Sequence, residues 1–99
     1  MTDLRKLQKE VYQNKVDKGF NVTDLPLEFC LLSEEVSEAF RAHFRKLPDF
    51  GSELADILIY LLGIAEISGI DLEKELLKKM EINKEREYRM ENGVHIKER

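Results

Sequence analysis

Two pairs of acidic residues have a spacing that suits metal chemistry. Glu35 and Glu38 are three positions apart, and so are Glu53 and Asp56. Residues three apart on a helix lie on the same face, so each pair can converge on one point. Four carboxylates that meet repel each other unless they are protonated or bind cations. Oxygen ligands of this kind suit a hard divalent ion, and we therefore predict a site for Mg²⁺, with Mn²⁺ as a substitute.

Each acidic pair also has an ordinary explanation. Glu38 can form an exposed charge pair with Arg41 on the same helix, and such pairs are common on protein surfaces. Glu53 and Asp56 fall in the first turns of a predicted helix, where the exposed N–H groups and the helix dipole favour acids. A metal site requires that the two pairs approach each other closely, whereas the ordinary explanations do not require it.

Other catalytic chemistries have little support in the sequence. Neither acidic pair contains a histidine, and the chain has no Glu-x-x-His element, which argues against zinc and against a di-iron centre. The serines have no histidine and acid partners at a recognisable spacing. The five glycines are scattered, so there is no glycine-rich phosphate loop.

A row of polar residues near the C-terminus suggests anion binding. Lys79, Asn83 and Arg86 continue a helical line that begins with apolar residues. Polar groups in line with a core stripe need partners, and a polyphosphate beside a divalent ion would supply them. Alternatively, the apolar stripe shifts onto Leu77 and Met80, and the polar row is solvated.

Four helices are predicted to position these residues. The hydrophobic spacing predicts a helix over 3–18, a helix over 26–46, a helix capped by Ser52 and ending near 68, and a helix capped by Asp71 and ending near Met90. The prediction is therefore an all-α, four-helix bundle in a single domain over 1–99, with 91–99 as a flexible tail.

The predicted core follows the apolar stripes of the second and third helices. The stripe of the second helix is Phe29, Leu32, Val36, Phe40, and His43 or Phe44. Cys30 is predicted to be buried beside it as a small apolar residue. The third helix is apolar all round from Ile57 to Ala65, so it is predicted to be the buried central helix and to require at least a dimer.

Charge and cysteine content limit the partners and the compartment. The net charge is −4, and residues 21–70 carry nine acids against three bases. This balance disfavours binding to nucleic acid or to an anionic membrane. The chain has one cysteine, no apolar signal segment at its start, and no charge-free run long enough to span a membrane. These features predict a cytoplasmic protein.

The acidic motifs also carry a family resemblance. Glu34-Glu35-Val36-Ser37-Glu38, followed by Glu53-Leu54-Ala55-Asp56, resembles the Glu-Glu-x-x-Glu … Glu-x-x-Asp signature of the MazG-like all-α nucleotide pyrophosphohydrolases. The resemblance continues through Ile57–Leu62, Gly69–Leu72 and Lys79–Arg86, and it covers roughly residues 25 to 90.

The resemblance implies a function as well as a fold. It implies a helical bundle that forms a homodimer or a dimer of dimers, and Mg²⁺-dependent hydrolysis of a nucleoside triphosphate to the monophosphate and pyrophosphate. By motif position the implied metal ligands are Glu35, Glu38, Glu53 and Asp56. Glu34 would help by hydrogen bonding or by holding a metal-bound water. Lys79, Asn83 and Arg86 would contact phosphates or brace the carboxylates.

One departure from the family concerns the base. Many members have a tryptophan near the end of the first helix, where this chain has Gly19-Phe20 and no tryptophan anywhere. Phe20 is therefore predicted to stack on the nucleobase in its place.

The resulting hypothesis is an enzyme that cleaves NTP or dNTP with a metal-activated water, and Glu35 or Glu38 accepts the water's proton. Two alternatives stay open: a non-enzymatic helical module that oligomerises, and a module that binds nucleotides without cleaving them.

Overall fold

The computed structural model of the protein describes residues 3–85, 88–91 and 94–97. It contains four α-helices, followed by two short strands: α1 (Leu4–Asp17), α2 (Leu25–Phe44), α3 (Phe50–Ile67), α4 (Leu72–Glu85), β1 (Tyr88–Glu91) and β2 (Val94–Lys97). The helices confirm the prediction of an all-α bundle for most of the chain, and their bounds lie close to the predicted ones up to the end of α3.

Aspartates cap the starts of three helices. Asp3 accepts hydrogen bonds from the backbone N–H groups of the first turn of α1, and Asp24 does the same at α2. Asp71 accepts one from the N–H of Lys74 at the start of α4. Each carboxylate satisfies helix donors that have no partner within the helix. The predicted cap at Ser52 is wrong, because α3 already begins at Phe50 and Ser52 lies within its first turn.

The C-terminal segment differs from the predicted helix. The fourth helix does not reach Met90: it ends at Glu85, and β1 pairs antiparallel with β2, with Glu91 opposite Val94. The dipeptide Asn92-Gly93 between two alternating segments of the sequence is a strong hairpin signal, which the prediction of a helix as far as Met90 does not take into account. The predicted tail over 91–99 thus contains the second strand of this hairpin.

The third helix is the centre of the packing. It contacts both α1 and α2, while α4 contacts α1. The buried apolar residues are small or lie at the α2–α3 contact: Ala39, Ala42, Leu62 and Ala65. Alanines allow two helix backbones to approach closely, which brings the facing acids of α2 and α3 near each other.

The predicted core stripe of α2 is wrong. Phe29, Val36, Phe40 and Phe44 are 52%, 48%, 66% and 76% exposed, and they form what we call the α2 apolar stripe. Cys30 is exposed as well. The helix instead buries the side that carries Glu28, Ala39 and Ala42. Periodicity identifies an apolar face, but it does not say which neighbour covers it, and no described helix of the same chain covers this one.

The apolar α3 is only partly buried. Leu62, Gly63 and Ala65 are buried, whereas Leu54, Leu58 and Leu61 remain 48%, 44% and 40% exposed. The prediction of a fully buried central helix is therefore wrong for one side of α3. Among the described residues, no helix is long and apolar enough to cross a membrane.

A buried amide joins α1 to the start of α4. Gln8 is fully buried, and its Nε2 donates hydrogen bonds to Glu66 Oε1 at 2.9 Å and to the carbonyl of Ile70 at 2.6 Å. Its Oε1 accepts a hydrogen bond from the N–H of Leu72 at 3.1 Å. Because all the hydrogen-bonding groups of this amide have partners, its burial does not leave an unsatisfied group.

Candidate functional site

Three carboxylates from two helices converge in one place. Glu35 and Glu38 on α2 and Glu53 on α3 each offer a carboxylate oxygen, and these oxygens all lie within 4.8 Å of one another. We call these three residues the acidic cluster. Glu38 is exposed, while Glu35 and Glu53 are partly buried. The predicted pair Glu35 and Glu38 thus meets Glu53 across the α2–α3 contact, whereas Asp56 is not among the converging residues.

Two oxygens of the cluster are buried without a hydrogen-bond partner. They are Glu35 Oε2 and Glu53 Oε2. A buried carboxylate oxygen without a partner is costly, because water no longer solvates its charge. Either a proton or a cation would satisfy these atoms. The exposed pair with Arg41 does not form in the described residues, so Glu38 is left to face the other two acids.

The environment of the cluster favours the protonated acids. Burial raises the pKa of Glu35 above its ordinary value, and the charges of Glu38, Asp56 and Glu53 raise it further. Burial likewise raises the pKa of Glu53, followed by the charges of Glu38, Asp49 and Asp56. A proton on either residue also creates a hydrogen bond to Glu38. Without a cation, ionisation of the cluster is therefore unfavourable.

We expect the stability of the metal-free protein to fall with rising pH across this titration. The folded state binds more protons than the unfolded state between the ordinary carboxyl value of 4.5 and the raised pKa values of Glu35 and Glu53. The contribution of these groups is most favourable below that window and is lost as pH rises through it. Urea unfolding at a series of pH values in EDTA measures the slope.

A Glu35→Gln/Glu53→Gln double variant is the control for this slope. The amides do not titrate, so the difference in stability between the double variant and the natural chain should grow as pH rises through the window. Parallel pH profiles for the two proteins would contradict the prediction.

A cavity adjoins the acidic cluster. It has a volume of about 430 Å³, and its lining residues include Glu35, Asp56, Phe20, Tyr60 and Lys15. We call it the main cavity. Phe20 is 56% exposed, so its ring is accessible to a ligand. The cavity therefore combines carboxylates with aromatic rings, which is a suitable arrangement for a ligand with one charged and one planar part.

A buried ion pair lies at the inner side of this cavity. Lys15 Nζ donates a hydrogen bond to Glu28 Oε1 at 2.5 Å, and the two side chains are 11% and 1% exposed. Asn21 Nδ2 donates to the other oxygen of Glu28 at 3.2 Å. The ammonium also lies 5.5 Å from the centre of the Tyr60 ring, within the range of a cation–π contact.

The phenol of Tyr60 stays protonated in this setting. Burial raises the pKa of Tyr60, and the charges of Glu35, Glu28, Asp56 and Glu34 raise it further. A neutral phenol keeps its O–H as a donor toward the main cavity over the physiological pH range.

The other predicted site residues lie in three different places. Asp56 lines the main cavity and acts electrostatically on both buried acids. Glu34 is exposed and lines a shallow depression with Ser37, Glu38 and Arg41. On α4, Asn83 is exposed, and Lys79 lines a separate apolar groove of about 450 Å³ with leucines of α1, α3 and α4. The prediction for the side chain of Arg86 lies outside the described residues.

Sequence reasoning missed two residues that line the main cavity, Lys15 and Tyr60, and the ion-pair partner of Lys15, Glu28. Lys15 had a detectable signal, because it occupies the position four residues after Val11 on the apolar line of α1. Glu28 lies in the first turn of α2 and looked like an ordinary acid at a helix start. Tyr60 lies on the apolar line of α3 and looked like a core residue.

Comparison of the chain with protein-family models, with curated proteins and with solved structures gave no match.

Proposed function

We propose that the protein is a Mg²⁺-dependent nucleoside triphosphate pyrophosphohydrolase, which converts NTP or dNTP and water to the monophosphate and pyrophosphate. One observation carries the proposal: the partnerless buried oxygens of Glu35 and Glu53 converge with Glu38. That convergence is what the resemblance to the MazG-like family implies, and membership in that family is part of the proposal.

The donor set suits a hard divalent cation. All the candidate ligands are carboxylate oxygens, which Mg²⁺ and Mn²⁺ prefer over the nitrogen and sulfur ligands typical of zinc. A cation held by Glu35, Glu38 and Glu53, with Asp56 beside them, would neutralise the repulsion that raises the pKa values of the buried pair. Bound Mg²⁺ supplies charge neutralisation on phosphate oxygens and lowers the pKa of a coordinated water.

Side chains of the protein are proposed to accept the proton, to stack on the base, to hold water and to contact the phosphates. Glu35 or Glu38 accepts the proton of the attacking water. Phe20 lines the main cavity and offers a ring for stacking on the base. Glu34, next to Glu38, holds water at the rim. Lys79, Asn83 and Arg86 are the proposed phosphate contacts.

Self-association is part of the same proposal. The α2 apolar stripe and the exposed leucines of α3 present large side chains to solvent. Contiguous apolar surface of this kind usually marks a protein–protein contact. A homodimer, or a dimer of dimers, would cover it. We propose a cytoplasmic location, and neither nucleic acid nor a membrane is a proposed partner.

The decisive experiment is a pyrophosphate-release assay. The purified chain is incubated with a panel of ordinary and modified nucleoside triphosphates, with Mg²⁺, Mn²⁺ or EDTA. We expect pyrophosphate and monophosphate in equal amounts, no reaction in EDTA, and no reaction for Glu38→Ala or Asp56→Ala. Glu81→Gln, an exposed acid on α4, is the matched control and should keep full activity.

The same assay tests the two alternatives. Nucleotides that raise the melting temperature without release of pyrophosphate would favour the nucleotide-binding module. No response to any nucleotide, together with a concentration-dependent oligomer, would favour the helical oligomerisation module, for which the α2 apolar stripe is the specific observation.

A further inference from the structure

The buried ammonium of Lys15 has more donors than its protein partner uses. An ammonium carries three N–H donors, and within the described residues the hydrogen bond from Lys15 Nζ goes to Glu28 Oε1. The face of the Tyr60 ring lies 5.5 Å away and attracts the charge without accepting a conventional hydrogen bond. A side chain that is only 11% exposed thus keeps donors for a further acceptor.

Those donors lie where two cavities meet. Lys15, Phe20 and Tyr60 line both the main cavity and a second cavity of about 320 Å³, which also contacts Asn21 and Glu28. Glu35 and Asp56 line the main cavity but not the second one. A ligand whose phosphates lie at the acidic cluster can therefore extend toward the part of the cavity that Phe20, Tyr60 and Lys15 line.

The ion pair is not needed to hold the two helices together. Removing two charges from water costs several kcal/mol each, and apolar residues of similar volume often replace a buried pair without loss of stability. The stem of Lys15 already packs against α3, with its Cδ 3.4 Å from where a Cβ of Gly63 would lie. A charged pair whose lysine lines two cavities and whose glutamate lines the second is better explained by ligand recognition than by packing.

We propose that Lys15, oriented by Glu28 and Asn21, is a specificity residue that selects nucleobases with a carbonyl oxygen at the edge where other bases carry an amino group. Uracil, thymine and guanine present such an acceptor, whereas adenine and cytosine present an N–H₂ donor there. An ammonium donates a hydrogen bond to the carbonyl oxygen. It cannot pair with the amino group, because both groups are donors. This inference rests on the proposed function for the placement of the phosphates.

The test measures binding rather than hydrolysis. Titration calorimetry with Mg²⁺ gives the Kd of the full chain for the 5′-monophosphates of thymidine, deoxyguanosine, deoxycytidine and deoxyadenosine. We expect the monophosphates of thymidine and deoxyguanosine to bind at least about tenfold more tightly than the other two, since a hydrogen bond to a charged group contributes a free energy of about this size. A Lys15→Met/Glu28→Leu variant should bind all four within about twofold. Lys9→Met, an exposed lysine on the same helix, should keep the preference.

The outcomes separate this inference from the proposed function. Equal binding of the four monophosphates by the natural chain overturns the inference, and this result does not require that the double variant folds. A preference that survives in a folded double variant overturns it as well. If triphosphates are not cleaved but the monophosphates show the expected preference, the hydrolase proposal fails and the base selection stands. If triphosphates are cleaved but the four monophosphates bind equally, the base selection fails and the hydrolase proposal stands.

Discussion

If the proposed function is right, we expect Glu35→Gln to lower the rate of pyrophosphate release by at least about a hundredfold and to raise the melting temperature of the metal-free protein. The activity falls because an amide is a poor ligand for Mg²⁺ and cannot accept the water's proton, and losses of even indirect metal contacts cost about 10–100-fold. The stability rises because the substitution removes one of the three converging charges of the acidic cluster.

The opposite signs of these two effects make the prediction specific. A residue that served only packing would lower both quantities when replaced. The measurements are initial rates at saturating Mg²⁺ and thermal unfolding in EDTA. Addition of Mg²⁺ should stabilise the natural chain more than the variant. Glu81→Gln should change neither quantity, and a Glu35→Gln protein that is fully active would exclude Glu35 from the site.

Replacing Lys15 by Met destabilises the fold by about 3–5 kcal/mol, the usual cost of leaving one partner of a buried ion pair alone. Glu28 is only 1% exposed, and after the substitution Asn21 is its remaining hydrogen-bond donor among the described residues. The loss is a large part of the total stability of a small domain. Urea unfolding at neutral pH measures it.

The Lys15→Met/Glu28→Leu variant is the control for this loss. The double change removes both charges, so most of the stability should return, and the cycle of single and double variants gives the coupling between the two residues. Equal and additive losses for the two single substitutions would show that the pair is not coupled.

The sequence predicted the helices because their signals are local. Hydrophobic spacing and the caps at Asp3, Asp24 and Asp71 are read within a few residues of each helix start. The acidic cluster was predictable for the same reason, since i, i+3 spacing on two consecutive helices with a short connection leaves few arrangements. The hairpin could also have been read from Asn92-Gly93, but the helical pattern before it was extended too far.

The orientation of α2 could not be predicted from its own pattern. Its large apolar residues form a better stripe than Ala39 and Ala42, yet the alanines are the buried residues. Hydrophobicity favours burial of the larger residues, and close helix packing favours the smaller ones. Which tendency prevails depends on contacts outside α2. The Lys15–Glu28 pair could not be predicted either, because the two residues lie on different helices and share no local motif.

The Gln8 amide has a consequence for the order in which the chain assembles. The amide donates to Glu66 and to the carbonyl of Ile70, and it accepts from the N–H of Leu72. These three partners lie 58, 62 and 64 residues further along the chain. During synthesis α1 leaves the ribosome first, but the groups that satisfy its buried amide emerge only with the end of α3 and the start of α4. The contact between α2 and α3 is much more local and closes a shorter loop. The buried amide of the first helix therefore gains its partners only after most of the protein has been synthesised.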